Sequence, residues 1–275
     1  MMPPIRAGGT NVDLGLDGRV AIVGGASKGM GNASARALAR EGARVVMVAR
    51  GAEALNGAAQ TIATAHGTSR VLAIAADLSV PSDVARVARE ARAWGGRIDV
   101  VVNNLGGPPP GETEGLADEQ WHAALELNFF SAVRLNRLVL PLMREGGYGR
   151  IVTVLSLSIK QPEENLALST VSRTAAAAYT KVLSTEVAHE GITVNNVLPG
   201  SIATERLQAV AEMQAKRQGE PLERALDIRR GLIPAGRFGA PEEVADVICF
   251  LASAQAGFIT GQSIVVDGGQ LRAMA

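Results

Sequence analysis

One cysteine, two tyrosines and three histidines are all that 275 residues provide, and each scarcity removes a class of function. A lone Cys249 cannot close a disulfide within the chain. Its place in the apolar run 247–251 marks it as a small buried hydrophobe instead of a nucleophile or ligand. His66, His122 and His189 are scattered along predicted helices beside charged residues, without ligand-type spacing, so no metal site is expected. Lys and Arg number 27 against 27 Asp and Glu, a formal net charge of zero, so there is no basic field to gather nucleic acid or anionic lipid. No apolar run reaches the length that spans a bilayer, and the Pro- and Gly-rich residues 1–18 lack the apolar core of a signal peptide. The expectation is a cytoplasmic protein with neither a membrane nor a nucleic-acid partner.

What is present is an apolar chain, 47% hydrophobic and 20% charged, long enough for one large α/β domain with a well-buried core. Seven short runs rich in Val and Ile stand at 19–24, 43–49, 71–76, 98–103, 150–155, 192–198 and 263–267. They are apolar at successive positions, the pattern of strands covered on both faces, as in parallel sheets flanked by helices. Stretches such as 33–39, 84–91, 125–143 and 175–187 carry apolar residues three and four apart, which is helical spacing. The alternation predicts a doubly wound α/β sheet of seven parallel strands with helices on both faces. Residues 1–18 read as an N-terminal extension and 19–275 as a single domain, since no repeat, low-complexity tract or charge block marks a second one. Two loops break the alternation after strand ends, where open α/β sheets bind ligands. One is the Gly- and Pro-rich segment 106–111. The other, about 201–239, reads as a lid over a substrate pocket; its amphipathic piece (Leu207, Val210, Met213) is interrupted at Gly219 and Pro221.

Directly after the first predicted strand comes Gly24-Gly25-Ala26-Ser27-Lys28-Gly29-Met30-Gly31, opening into a predicted helix over 32–40. Glycines at this place let the backbone turn tightly and approach a pyrophosphate, which then lies at a helix N-terminus where unpaired N–H groups favour an anion. At the end of the second predicted strand, where an NAD-binding chain places an acid for the ribose 2′-hydroxyl, stands Arg50. A guanidinium suits a 2′-phosphate, with Lys28 in the glycine turn assisting, so NADP(H) is favoured over NAD(H).

The GxxxGxG spacing joins several further marks: Asp77 after the third strand, Asn103-Asn104-Leu105-Gly106 after the fourth, and Pro199-Gly200 after the sixth. Asn128 lies in the long helical stretch, Gly236-Arg237-Phe238-Gly239 precede Pro241, and the chain closes on Ile259-Thr260-Gly261 and Val265-Val266-Asp267-Gly268-Gly269. Over about residues 18–269 the chain resembles the short-chain dehydrogenase/reductase family, as a divergent member. The resemblance implies a Rossmann dinucleotide-binding domain. Its cofactor would be held at Gly25, Ser27, Lys28, Gly29, Met30 and Gly31, with the adenine near Asp77 and Leu78 and the ribose near Asn104 and Gly106. The nicotinamide would lie near Pro199, Gly200, Ile202 and Thr204. It also implies a homotetramer built through helices at 118–144 and 169–189 and the C-terminal strand, acting on a small-molecule carbonyl or alcohol in the manner of 3-oxoacyl reductases.

The catalytic positions of the family fall on Asn128, Ser156, Ser169 and Arg173, and the last two depart from its pattern, which has Tyr thirteen residues after the Ser and Lys four further on. Asn195, Asn196 and Pro199 keep their expected distance downstream, so the register holds. The only tyrosines are Tyr148 and Tyr179, and Tyr179, six residues beyond Arg173, is turned about 240° around the helix. In the family the phenol passes the proton while hydride moves, and the Lys lowers the phenol's pKa. Serine is a weaker acid and reaches less far, and Arg keeps the positive charge without shuttling protons. Three readings follow. A water held by Ser156, Ser169 and Arg173 supplies the proton; or Lys160, Glu163 or Glu164 does; or the chain is a non-redox lyase or isomerase, or a silent NADPH-binding sensor.

Overall fold

The computed structural model describes residues 12–273. Residues 1–11 of the expected N-terminal extension lie outside the described residues. Seven strands form one sheet in the order β3-β2-β1-β4-β5-β6-β7, every neighbouring pair parallel. They are β1 (Val20–Gly24), β2 (Arg44–Ala49), β3 (Val71–Ala75), β4 (Val100–Asn103), β5 (Gly149–Val154), β6 (Ile192–Pro199) and β7 (Ser263–Val266). Each coincides with an apolar run of the sequence to within two residues. Helices α1 (Gly29–Arg40), α2 (Ala52–His66) and α3 (Pro81–Gly95) connect the first strands, and α4 (Asp118–Leu125) and α5 (Ser131–Gly146) lead from β4 to β5. Then come α6 (Ala167–Val187), α7 (Glu205–Gln218), α8 (Leu222–Gly231) and α9 (Pro241–Ala252).

Side chains alternate across each strand, and both faces are apolar, so the sheet divides two cores. Ala21, Val23, Val45 and Met47 pack with Leu38 of α1, Leu55 of α2 and Ile248 of α9. Val20, Ile22 and Val46 point the other way, toward Val87 of α3, Leu135 and Val139 of α5 and Leu183 of α6. Every residue of β1 is buried, which explains why its sequence does not alternate with polar residues.

The chain winds outward in one direction from β1 to β3 and in the other from β4 to β7. The crevice between the C-terminal ends of β1 and β4 is therefore the topological switch point, where such sheets bind ligands. Asn104 braces it: its Nδ2 donates to the Gly24 carbonyl at 3.1 Å. The segment expected as a lid carries two separate helices, α7 and α8, parted where Gly219 takes φ +66° and Pro221 precedes α8. The long helical stretch predicted over 125–143 is not one regular helix. A π-turn at Glu126–Phe130 separates α4 from α5, a wider coil that hydrophobic spacing alone does not reveal.

Candidate active site

The glycine turn after β1 is a cradle of unsatisfied donors. Gly25 and Gly29 hold φ of +59° and +56°, a region that costs a residue with a Cβ about 1–2 kcal/mol. Gly31 is required for a different reason: a Cβ there would sit 2.3 Å from the Gly25 carbonyl and 2.6 Å from the Asn104 amide. The Ala26 N–H is bound to the Val48 carbonyl at 3.0 Å, but among the described residues Ser27, Lys28, Gly29, Met30 and Gly31 offer N–H groups with no acceptor. The first turn of α1 carries no acid. Five open donors at a helix N-terminus suit a diphosphate.

Asp77 and Leu78 follow β3 as expected, but the Asp77 Oδ1 is engaged by the backbone N–H and hydroxyl of Ser79 at 2.9 and 2.7 Å. Beside them an open cleft of about 520 Å³ is lined by Arg50, Ser79, Val80, Leu127 and Arg134. Arg134 is neutralised there by Glu126 at 2.5 Å. Arg50 is exposed and has no acid within 4 Å among the described residues, leaving its guanidinium free to meet an anion. Lys28 was expected to assist Arg50; its ammonium is instead paired with Glu205 at the start of α7.

At the other side of the switch point, Ser156 follows β5 and its Oγ accepts from the Ser158 N–H at 3.1 Å. Helix α6 delivers Ser169 and Arg173 one turn apart on a shared face, and the Arg173 Nε donates to the Ser169 Oγ at 3.2 Å. Nη1 donates to the Val154 and Leu155 carbonyls at 2.9 and 3.0 Å, and Nη2 lies 3.5 Å from the Leu105 carbonyl. A guanidinium has five N–H donors, so four partners leave one hydrogen on Nη2 open to a ligand. Arg173 is only 8% exposed and has no carboxylate within 4 Å among the described residues. Burial first, and the like charge of Arg206 second, bring its pKa down to about 10. It remains a cation at neutral pH, held beyond the tips of β4 and β5 by carbonyl dipoles and the Ser169 hydroxyl, without a counter-charge.

Asn128 sits inside the π-turn, buried, and its Nδ2 donates to the Ser172 hydroxyl at 3.0 Å. It therefore reaches α6 one residue before Arg173 without touching the guanidinium. The sequence did not single out Ser172, although its place three residues after Ser169 on a helix puts it on the same flank. The segment carrying Lys160, Glu163 and Glu164 runs over the surface. Glu163 and Glu164 are exposed, and none of the three bonds to Ser156, Ser169 or Arg173.

Neither tyrosine is part of this cluster. Tyr148 precedes β5 at the N-terminal edge of the sheet, the edge away from Ser156. Its hydroxyl donates to the Ala252 carbonyl at 2.7 Å, its ring lies between Arg19 and Arg150, and burial raises its pKa. Tyr179 packs edge-on against Phe129 with ring centroids 6.1 Å apart, as part of the core under α5 and α6. Cys249 is buried as expected, and desolvation pushes its thiol up to about 12.

The segment expected as a lid runs from the end of β6 past both halves. Pro199 ends β6; Gly200 lies so close to Asp267 that a Cβ would stand 2.6 Å from that side chain, and Ile202 is buried opposite Gly239. Thr204 caps α7 by accepting from the Leu207 N–H at 3.4 Å, and its methyl faces Gly29 at 3.5 Å from a Cβ position there. Arg206 reaches across the cleft and donates to the Pro108 carbonyl at 2.9 Å, while Arg217 pairs with Glu112 at 2.9 Å. Both contacts fasten α7 to the loop after β4 that carries Gly106. Loop composition did not indicate that Arg206 and Arg217 would make these contacts.

Known proteins share this fold. The family model described as enoyl-(acyl carrier protein) reductase matches residues 25–270. The 3-oxoacyl-(acyl-carrier-protein) reductase of Escherichia coli is 32% identical over 262 residues, which cover 93% of this chain and 98% of that one. The crystal structure of L-sorbose reductase from Gluconobacter frateurii, complexed with NADPH and L-sorbose, superposes with a TM-score of 0.91 at 35% identity, covering 96% of this chain and all of that one. YwfH, an NADPH-dependent reductase of bacilysin biosynthesis, matches with a TM-score of 0.89 at 30% identity over 93% and 99% of the two chains. With the strand order, the glycine cradle at the switch point and these matches along nearly its whole length, the chain belongs to the short-chain dehydrogenase/reductase family of oxidoreductases.

Proposed function

We propose that this protein is an NADP(H)-dependent oxidoreductase interconverting a carbonyl and an alcohol, 3-oxoacyl reductase-like, in which a water held by Ser156, Ser169 and Arg173 replaces an aromatic proton donor. The observation that carries the reading is the buried Arg173 guanidinium, bonded to Ser169 and to the carbonyls on either side of the Val154–Leu155 peptide. A desolvated cation without a carboxylate is costly to fold, and it is suited to a developing oxyanion.

The residues fit a nicotinamide dinucleotide. The open N–H groups of 27–31 would hold its pyrophosphate, and Arg50 beside the cleft would hold a 2′-phosphate. Leu78, Asn104 and Gly106 would flank adenine and ribose, and Pro199, Gly200, Ile202 and Thr204 the nicotinamide. Bound there, the nicotinamide supplies or accepts a hydride at the substrate carbon. Because Ser156 accepts from Ser158 and Ser169 accepts from Arg173, each hydroxyl proton is free to point into the site. In the reducing direction a water donates its proton to the substrate oxygen, the two hydroxyls orient that water, and the resulting hydroxide is neutralised by solvent. Arg173 stays protonated and stabilises the negative charge. Without a positioned acid of suitable pKa, turnover is expected to be about 10²–10⁴-fold slower than with one.

NADPH preference is supported by the two solved relatives named for it and by an Arg, not an acid, after β2. The same reading takes the chain to be a homotetramer: Phe130, Leu138, Val171 and Val182 are exposed apolar residues along the π-turn, α5 and α6. The test follows NADPH absorbance with simple ketones and β-ketoacyl thioesters. Consumption of NADPH that is lost in Arg173→Ala but kept in a surface Lys216→Ala control supports the proposal. Tight NADPH binding that never leads to oxidation would replace it with a silent sensor.

A further inference from the structure

The active-site cleft holds a second guanidinium that the reductase reading leaves unused. Arg206, in the first turn of α7, extends over the loop after β4 and donates to the Pro108 carbonyl at 2.9 Å. A glycine at 107 admits it: a Cβ there would stand 3.0–3.3 Å from three atoms of the guanidinium. The side chain is exposed along part of its length, yet desolvation at the guanidinium holds its pKa below the ordinary arginine value. The two guanidiniums meet the same short loop, Arg173 Nη2 lying 3.5 Å from the Leu105 carbonyl and Arg206 donating to the Pro108 carbonyl three residues on, and the charge of Arg206 disfavours that of Arg173. Among the described residues no carboxylate lies within 4 Å of either one.

The contrast with other arginines of this protein is informative. Arg134 beside the 520 Å³ cleft is matched by Glu126, Arg217 on the same helix α7 by Glu112, and Lys28 beneath α7 by Glu205. Acids thus meet Arg217 and Lys28 where α7 approaches the loop after β4 and the glycine turn, whereas Arg206 has only the Pro108 carbonyl. Two like charges brought together in a partly dry cleft repel each other, and an oxyanion between them relieves both that repulsion and the missing hydrogen bonds. The pyrophosphate already has the five open donors of 27–31. Arg206 stands instead on the loop that also meets Arg173, the residue that grips Ser169.

We propose that Arg206 is a specificity residue that receives an oxyanion of the substrate, so that the preferred substrates are carbonyl compounds carrying a carboxylate a short distance from the reacting carbon. Bidentate contact with the guanidinium fork would fix the orientation of the carbonyl over the hydride donor. The inference rests on the reductase reading for what happens next, but the binding step stands by itself.

The experiment is calorimetric titration of acetoacetate and of methyl acetoacetate, its neutral ester, into protein saturated with NADP⁺, in which no turnover occurs. NADPH is titrated separately. The wild-type protein is expected to bind acetoacetate at least about tenfold more tightly than the ester. Arg206→Gln should erase that preference with NADPH affinity within about threefold, and Arg206→Lys should retain part of it, which a purely structural pin to Pro108 would not produce. A wild type without the preference overturns the proposal. So does an Arg206→Gln variant that keeps the preference but loses NADPH affinity tenfold, because the oxyanion is then a phosphate of the dinucleotide. If the wild type takes up no dinucleotide, the reductase reading falls, and the same two titrations on the unloaded protein still decide the role of Arg206.

Discussion

Replacing Arg173 by Met separates the chemical role of the guanidinium from its structural one, because the two have opposite energetic signatures. Met has similar length and no charge. In the folded protein burial brings the guanidinium's pKa down to about 10, which corresponds to about 3 kcal/mol by which folding disfavours the charged form at neutral pH. Met removes that cost. It also removes two close bonds to the Val154 and Leu155 carbonyls and one to Ser169. Bonds from a charged donor contribute about 1.5–3 kcal/mol each, so the two short ones alone amount to roughly 3–6 kcal/mol. Set against the charge penalty, these two leave the variant less stable by up to about 3 kcal/mol and the Ser169 bond adds about 1.5–3 kcal/mol, a fall in Tm of up to about 24 °C at 2–4 °C per kcal/mol. Activity should respond far more strongly, because an oxyanion donor lost from a dry site costs about 10²–10³ in rate. Thermal unfolding and NADPH oxidation are measured on the same preparation. A variant that is folded and retains more than about a fifth of wild-type kcat/KM would refute the assignment of Arg173 to the chemistry.

Three further outcomes are expected. Gly31→Ala would push a Cβ into the Gly25 carbonyl and the Asn104 amide, and should weaken NADPH binding at least 100-fold by fluorescence titration while costing about 1–3 kcal/mol of stability. Arg50→Ala should weaken NADPH roughly 10- to 100-fold and leave NADH within about threefold, as expected for one charge-assisted contact to a 2′-phosphate; equal loss of both coenzymes would remove Arg50 from that role. Finally, kcat/KM should fall as pH rises through about 10, where Arg173 loses its charge, with no such limb in Arg173→Met. The stability linked to this residue runs the other way. Its folded pKa is below its unfolded one, so the unfolded state binds more protons from about pH 10 up toward the ordinary arginine value, and the charge penalty is relieved as pH rises through that window. The difference in ΔG between wild type and Arg173→Met, measured by urea unfolding across that range, reads it.

The strands were legible because a strand covered on both faces is apolar at successive positions, as β1 is throughout and β2 is after Arg44. The glycine cradle was legible for a related reason: positive φ at Gly25 and Gly29 and the absence of room at Gly31 leave few other residues able to stand there. Long-range pairings carry no such local mark. Nothing in the sequence near Lys28 indicates that Glu205, 177 positions away, takes its charge. Asn104 looked like a ribose contact and acts as a brace on Gly24. The one-turn spacing of Ser169 and Arg173 foretold that they meet, but not that the guanidinium would spend its other donors on backbone carbonyls of β4 and β5. Those acceptors belong to strand ends whose neighbours only the sheet order defines.

The wide coil at Glu126–Phe130 bears on how this protein tolerates length changes. An extra residue accommodated in one turn leaves the helices on both sides in phase with the sheet. Excising one residue there would let α4 and α5 merge into a single rod, with Leu135, Val139 and Met143 still seated on the β-layer and Asn128 swung out of reach of Ser172. Deletion anywhere later in α5 offers no such slack and would turn that apolar stripe by about 100°. The coil is thus a reversible dial on the polar interior, adjustable without disturbing the hydrophobic framework beneath it.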